Sequence, residues 1–375
     1  MKHSSLLRLP PRGCRSRVRR LSSGALALAL LAALVPEAAA QKARDKDTVT
    51  LKDGKSEAGE IKSEDFSGVV VGSGKPIPWD TVQTIEYAGE PEFAEAEKAF
   101  AKSKHEDALA EFQTVLAKPK LRPVIKQQAL YHVALLRQNL GQTDEAIASW
   151  RELLQEFPTG RFLRAAGENL LTAYLSKKDF AGAEAALQEL SKNTVGVQAF
   201  QSEVTLLEGR LAETQDNFVK ARLLYEQAEK SGARPAVAQE SRLGKARCLA
   251  REKKQADAKA VFQQLAGEDA PNHVLAGAWN GLGDLATEEG KSQRSIERLI
   301  VAVYGYLRGV VQYAPLPGES TLEYERALAG AARCFKLMSE LEEKPDVRKL
   351  YAERSRQRLE QLKTEYPNSI YLEGL

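Results

Sequence analysis

Histidine, cysteine, methionine and tryptophan are scarce in this sequence: four, three, two and three among 375 residues. Cys14 belongs to an N-terminal leader, so the remainder of the chain keeps only Cys248 and Cys334. Too few thiols are left for a Cys-based zinc site. The histidines beyond the leader, His105, His132 and His273, are far apart, and none stands near a second ligand or a nucleophile. There is no HExxH, no serine nucleophile elbow and no paired-carboxylate motif that stands out from ordinary helix-surface charge. The expectation is a protein that is not an enzyme, with no catalytic, metal or cofactor-binding residues and no cofactor.

An excess of one charge is also missing. The net charge is +3, but residues 1–40 hold seven Lys/Arg against Glu37 alone, leaving 47 basic and 50 acidic residues elsewhere. That balance gives no global attraction to nucleic acid or anionic lipid. Long apolar runs are missing too. The run Ala25 to Val35 is about half the ~20 residues a membrane-spanning helix needs. With the arginines before it and "EAAA" after it, the run reads as the middle of a secretory signal peptide over 1–40, cleaved after Ala40. A transit peptide is the alternative, disfavoured by the unbroken apolar run. Arg19-Arg20 would also fit a twin-arginine signal. The chain is thus expected to be exported, periplasmic or extracellular, and envelope-associated, with no transmembrane segment after processing.

Residues 41–90 are expected to form a small β module. The β-prone runs "TVTL", "AGEI", "SGVVV", "PIPW" and "VQTIEY" alternate with turn signals and read as about five strands. The layout resembles small SH3-like or Sm-like modules. So little buried surface needs support from the next helix. "GSGKP" within it imitates a phosphate loop, but Val69 stands where that loop needs glycine and Pro76 where it needs Ser/Thr. A hairpin turn accounts for it.

From residue 92 a helical pattern recurs. Ala108-Phe112-Val115, Ala146-Trp150-Leu153, Ala183-Leu187-Leu190, Ala221-Tyr225-Ala228 and Ala258-Phe262-Leu265 repeat every 37 or 38 residues. Spacing of i, i+4, i+7 puts each trio on one helical face, the alanine admitting a neighbouring helix. Another 37 residues leads to Ser295, with Leu299 and Ala302. "WNGLGDLATEEG" fits two motifs. Gly281-x-Gly283-x-x-Ala286 matches a dinucleotide loop, and Trp279-x-x-Leu282-Gly283 opens a helical repeat. The repeat register places Trp279 and Gly283 correctly, and "PNHVLAGA" before them begins a helix, so the glycines serve helix packing.

Over 91–375 the chain resembles the tetratricopeptide repeat (TPR) family. Gly141 and Gly290 stand at turns between paired helices, Gly209 and Gly283 at close-packing sites, and Pro158 ends a second helix. "EFPTGRF" and "EYPNSIY" resemble repeat junctions of bacterial envelope TPR proteins. "EEKPDV" departs from the pattern and blurs the last unit. The fold class expected is mainly α: an α-solenoid of six to seven antiparallel helix pairs preceded by the β module. Four helices would separate Cys248 from Cys334 at ~8–10 Å per neighbour, beyond the ~7 Å of a disulfide.

The resemblance implies a concave groove lined by first helices that binds protein or peptide partners. It places Gln128, Tyr131, Gln138, Glu168, Arg210, Glu213, Arg247, Asn280, Asp284, Arg326, Arg333 and Lys336 on that groove. Arg210, Arg247 and Arg333 are equivalent and would read carboxylates if they stand clear; Glu203, Glu240 and Asp284 could instead neutralise them. Tyr304, Tyr306 and Tyr313 would be partner anchors or core. An adaptor in envelope assembly is one functional expectation, and a self-associating structural subunit is the other.

Overall fold

The computed structural model describes residues 46–375, apart from 196, 232–233, 316–319, 368 and 374–375. The leader, its cleavage site and residues 41–45 of the β module lie outside the described residues. Six strands precede the helices: β1 (Thr48–Leu51), β2 (Ser56–Ala58), β3 (Ile61–Glu64), β4 (Gly68–Val71), β5 (Ile77–Pro78) and β6 (Val82–Glu86). They make two antiparallel three-stranded sheets, ordered β2-β1-β6 and β3-β4-β5. The strand count exceeds the expected five because "AGEI" is cut at Gly59. A Cβ there would lie 2.9 Å from Val71 Cγ1, and the strands on either side, β2 and β3, belong to different sheets. Val49, Ile61, Val69 and Ile77 join Phe93, Phe112, Val124 and Ile125 in one apolar core. The β module therefore lacks a separate core, and its apolar face is completed by the first helices.

Those helices come in pairs: α1 (Pro91–Ala101) with α2 (His105–Leu116), α3 (Pro123–Asn139) with α4 (Thr143–Glu156), and α5 (Leu163–Ser176) with α6 (Phe180–Asn193). Then follow α7 (Gln198–Thr214) with α8 (Phe218–Lys230), α9 (Pro235–Arg251) with α10 (Gln255–Ala266), α11 (Asn272–Gln293) with α12 (Ile296–Gln312), and α13 (Leu322–Leu341) with α14 (Pro345–Glu365). The recurring alanine is the fourth residue of α2, α4, α6, α8 and α10 and is fully buried in each. Its partners at i+4 and i+7 are buried as well, from Phe112 and Val115 to Phe262 and Leu265.

Each of the first six pairs turns on one residue with left-handed backbone: Ser103, Gly141, Lys178, Asp216, Lys253 and Arg294. Gly141 fills that role as its sequence context suggested. Gly290 does not. It lies inside α11, where a Cβ would meet the Leu299 side chain at 2.8 Å, and Arg294 makes the turn at φ 50°. α11 runs about one turn past its equivalents, so Ser295 caps α12 and Leu299 takes the buried alanine's place. Glycine also permits the closest helix approaches. Tyr225 lies between Gly209 and Gly244, and Tyr306 between Gly283 and Gly330, each glycine within 3.0 Å of the ring if it carried a Cβ.

Candidate functional site

The candidate side chains sit where the β module meets α5 and the start of α9. Asp47 anchors the junction. Nearly fully buried, it accepts hydrogen bonds from Ile61 N and Ala88 N, both at 2.7 Å, and from Arg122 Nη1 at 3.0 Å. Burial would raise its pKa, but these donors outweigh burial and hold it below the usual carboxylate range. Glu64 is a second anchor, accepting from Tyr87 Oη, Gln128 Nε2 at 2.9 Å and Arg161 Nη1 at 3.3 Å. The β3–β4 turn then reaches the α4–α5 junction, where Phe66 N donates to Thr159 O at 2.7 Å.

A cavity of about 470 Å³ opens at this junction. Its walls are Trp79 and the β6 residues Val82–Ile85 on one side, and Arg161, Arg164 and Glu168 with Phe162 on the other. Phe66 and Arg234 complete it. The Arg161 guanidinium lies 4.3 Å from the Trp79 ring centroid and 5.2 Å from that of Phe162, and Arg234 lies 4.8 Å from that of Phe66. Rings occupy guanidinium faces and leave the N–H edges to bind anions.

Beyond the cavity, buried ion pairs fill the groove. Glu240 on α9 accepts from Arg164 on α5 at 2.6 Å and from Arg210 on α7 at 2.7 Å, with His273 Nε2 at 3.2 Å. Burial opposes its ionisation, yet the His273 hydrogen bond and the two arginines depress its pKa far below normal. Further along, Arg247 engages all three guanidinium nitrogens. Nε and Nη2 bond Glu213 at 2.8 and 3.0 Å, and Nη1 bonds Glu323 on α13 at 3.4 Å. Arg326 bonds Asp284 and Glu323. Tyr225 and Tyr306 donate to Glu213 and Asp284, both at 2.6 Å. First helices two pairs apart are thus bridged by single ion pairs, Arg164–Glu240 and Arg247–Glu323.

The expected site residues therefore part company. Arg210 and Arg247 lie on the groove but are consumed by carboxylates; Glu240, one of the three acids anticipated, holds Arg210, whereas Glu213, which was not among them, holds Arg247. Arg333 is exposed, and its one hydrogen bond among the described residues goes to Ala329 O at 3.4 Å, so the three arginines form no common stripe. Asn280 is interior, donating to Glu323 O and Oε2, and Tyr306 is core. Neither is presented to a partner. Tyr306 is drawn inward by close packing on Gly283 and Gly330, and Asn280 by its bonds to Glu323. Tyr131 is half-buried, stacked on Phe162 at 3.9 Å. Tyr304 is exposed and Tyr313 half-buried. Sequence reasoning did not single out Arg161, Arg164, Arg234, Trp79 or β6; "GRF" at the repeat junction was quoted only as a boundary. Cys248 and Cys334 are free and buried, their thiols pushed up by burial to about 12 and about 11. Among the described residues no group of three or more His, Cys, Asp or Glu is arranged to hold a metal ion, and no helix is long and apolar enough to cross a membrane.

Seven helix pairs stacked with first helices inward make a TPR-like α-solenoid, and residues 128–160 match the tetratricopeptide repeat family model. That match runs from Gln128 within α3 through α4 to the junction with α5, and the neighbouring pairs repeat the same architecture. Solved structures similar to the chain include a tetratricopeptide repeat protein from Parabacteroides merdae, at 15% identity, 71% of this chain, 98% of that one and TM-score 0.44. PilW, titled a widely conserved type IV pilus biogenesis factor, is 15% identical over 66% of this chain and 96% of its own, with TM-score 0.41. Pseudomonas aeruginosa pilF is 16% identical over 66% of this chain and 94% of its own, with TM-score 0.38. No curated protein matches by sequence.

Proposed function

We propose that this chain is an exported, non-catalytic TPR adaptor that binds partner polypeptides in cell-envelope assembly or organisation. The observation that carries the reading is the open cavity at the mouth of a repeat scaffold whose deeper groove is occupied by its own ion pairs. Repeat solenoids of this kind present extended surfaces to other proteins. Export rests on the leader's three-part pattern. The test is intact-mass measurement of chain recovered from an envelope fraction, together with in-cell photocrosslinking from Gln83. A mature start near Gln41 and discrete polypeptide adducts are expected. Retention of Ala25 to Val35, or the absence of adducts, contradicts the reading.

Self-association is favoured by one separate feature. Val301, Tyr304 and Val311 are exposed on α12 at helical spacing. Tyr304→Lys should lower the sedimenting mass if that stripe joins two copies, and leave it unchanged if it does not.

A further inference from the structure

We infer that the cavity between β6 and α5 receives an extended peptide segment with an acidic side chain, which lies along β6 with its carboxylate on Arg161 and Arg234. This deepens the adaptor reading and rests on it.

The first support is the spare capacity of the arginines. A guanidinium carries five N–H donors. Among the described residues, Arg161 makes one hydrogen bond, to Glu64, and Arg234 one, to Glu203. Deeper in the groove Arg247 has all three nitrogens engaged. The mouth arginines are also held in place. Trp79, Phe162 and Phe66 lie against their guanidinium groups, and the carboxylates that hold them are buried. An incoming anion therefore finds oriented donors whose side-chain ordering is already complete.

The second support is the strand. β6 is at the edge of its sheet, paired on one side with β1. Four consecutive residues, Val82, Gln83, Thr84 and Ile85, line the cavity. Successive side chains of a strand point to opposite faces, so a cavity that touches all four meets the strand along its edge. An extended chain on that edge can add main-chain hydrogen bonds while alternate side chains enter pockets.

Charge complementarity selects the acid. The cavity wall carries three arginines against Glu168, and Glu64, Glu203 and Glu240 stand behind them. Arg210 also bonds Glu240, so four arginines balance four glutamates in all, and the excess of positive charge on the wall itself suits one carboxylate better than a polyphosphate or sulfated glycan. Trp79, Phe66, Phe162, Val82 and Ile85 offer apolar surface to the neighbouring side chains.

The three tryptophans make a direct test possible, because Trp79 alone lines the cavity and Trp150 is fully buried elsewhere. The 15N-labelled chain, residues 41–375, is titrated with an eight-residue Val/Thr peptide carrying a central aspartate, while the three indole N–H resonances are followed. The aspartate peptide should shift the Trp79 signal saturably and leave Trp150 unmoved. Its asparagine counterpart should bind about tenfold more weakly, as should the aspartate peptide against Arg161→Lys, which keeps the charge but loses the fork. Alternate N-methylation of the peptide should weaken binding by a similar factor. Equal binding of the aspartate and asparagine peptides overturns the inference, as does indifference to N-methylation, or a Trp79 signal that moves with heparin and not with peptide. An unmoved Trp79 signal combined with polypeptide adducts from Gln83 overturns the acidic-segment inference and leaves the adaptor reading standing. Absence of both overturns both.

Discussion

The mouth of the solenoid and its deeper groove are built from the same residue types, arginine, glutamate and ring side chains, yet they are suited to opposite tasks. In the groove, Arg247 and Arg326 are met by Glu213, Asp284 and Glu323, and Tyr225 and Tyr306 tie those acids to the core. At the mouth, Arg161 and Arg234 rest on rings and, among the described residues, spend one hydrogen bond each. An arginine is free to recognise a partner only when its surroundings leave donors unspent, which position on a repeat does not decide. The β module makes the difference, because it supplies Trp79, Phe66 and Glu64 beside α5 and the start of α9.

The largest effect is expected at Glu240, where the two regions join. Glu240→Gln strips the charge from a buried carboxylate shared by Arg164, Arg210 and His273. It should cost about 3–5 kcal/mol in denaturant unfolding, the scale of breaking a buried pair. The half-exposed Glu168, changed to Gln, should cost less than about 1 kcal/mol. Because the folded pKa of Glu240 is depressed, its contribution is complete above the unfolded value of 4.5 and is lost as pH falls below it. Similar costs for the two variants would erase the distinction between buried and open charge.

Next in size is Gly244→Ala. Its Cβ would lie 2.4 Å from Tyr225 Cζ, and displacing that ring also disturbs the bond to Glu213. About 1–3 kcal/mol of destabilisation should appear as a lower melting temperature. An unchanged melting temperature would mean that the groove is less tightly built than the mouth comparison requires.

A pH effect comes from the mouth side. His132 stacks on Phe112 at 4.6 Å, and burial, with the Arg161 charge, lowers its pKa to about 4. The unfolded chain takes up this proton near pH 6.5 and the folded chain does not, so stability should fall as pH drops from 6.5 towards 4. His132→Phe should flatten that slope in thermal melts across this window. The smallest effect is expected at Arg333. Exposed and, among the described residues, bonded only to a carbonyl, Arg333→Ala should stay within about 0.5 kcal/mol of the parent in the same melts.

Much of the solenoid was legible because its signal is local. The alanine trios repeat within single helices, and burial follows their register from Ala108 to Leu265. The turn at Gly141 was legible for the same reason. Gly290 misled because five other turns use Ser103, Lys178, Asp216, Lys253 and Arg294, residues with no sequence mark of left-handed backbone. The site was far less legible. Its contacts join residues widely separated in sequence: Arg161 to Glu64, Arg164 to Glu240, Arg247 to Glu323. Equivalent repeat positions gave Arg210, Arg247 and Arg333 one role, whereas pairing across the superhelix gives them different ones.

The central claim is that partners engage the mouth and leave the deeper groove alone. Photocrosslinkers placed singly at Gln83, on the cavity, and at Lys336, exposed on α13, test it in one experiment. A polypeptide adduct that the aspartate peptide competes away is expected from Gln83, and none from Lys336. Adducts from Lys336 with none from Gln83 would contradict it.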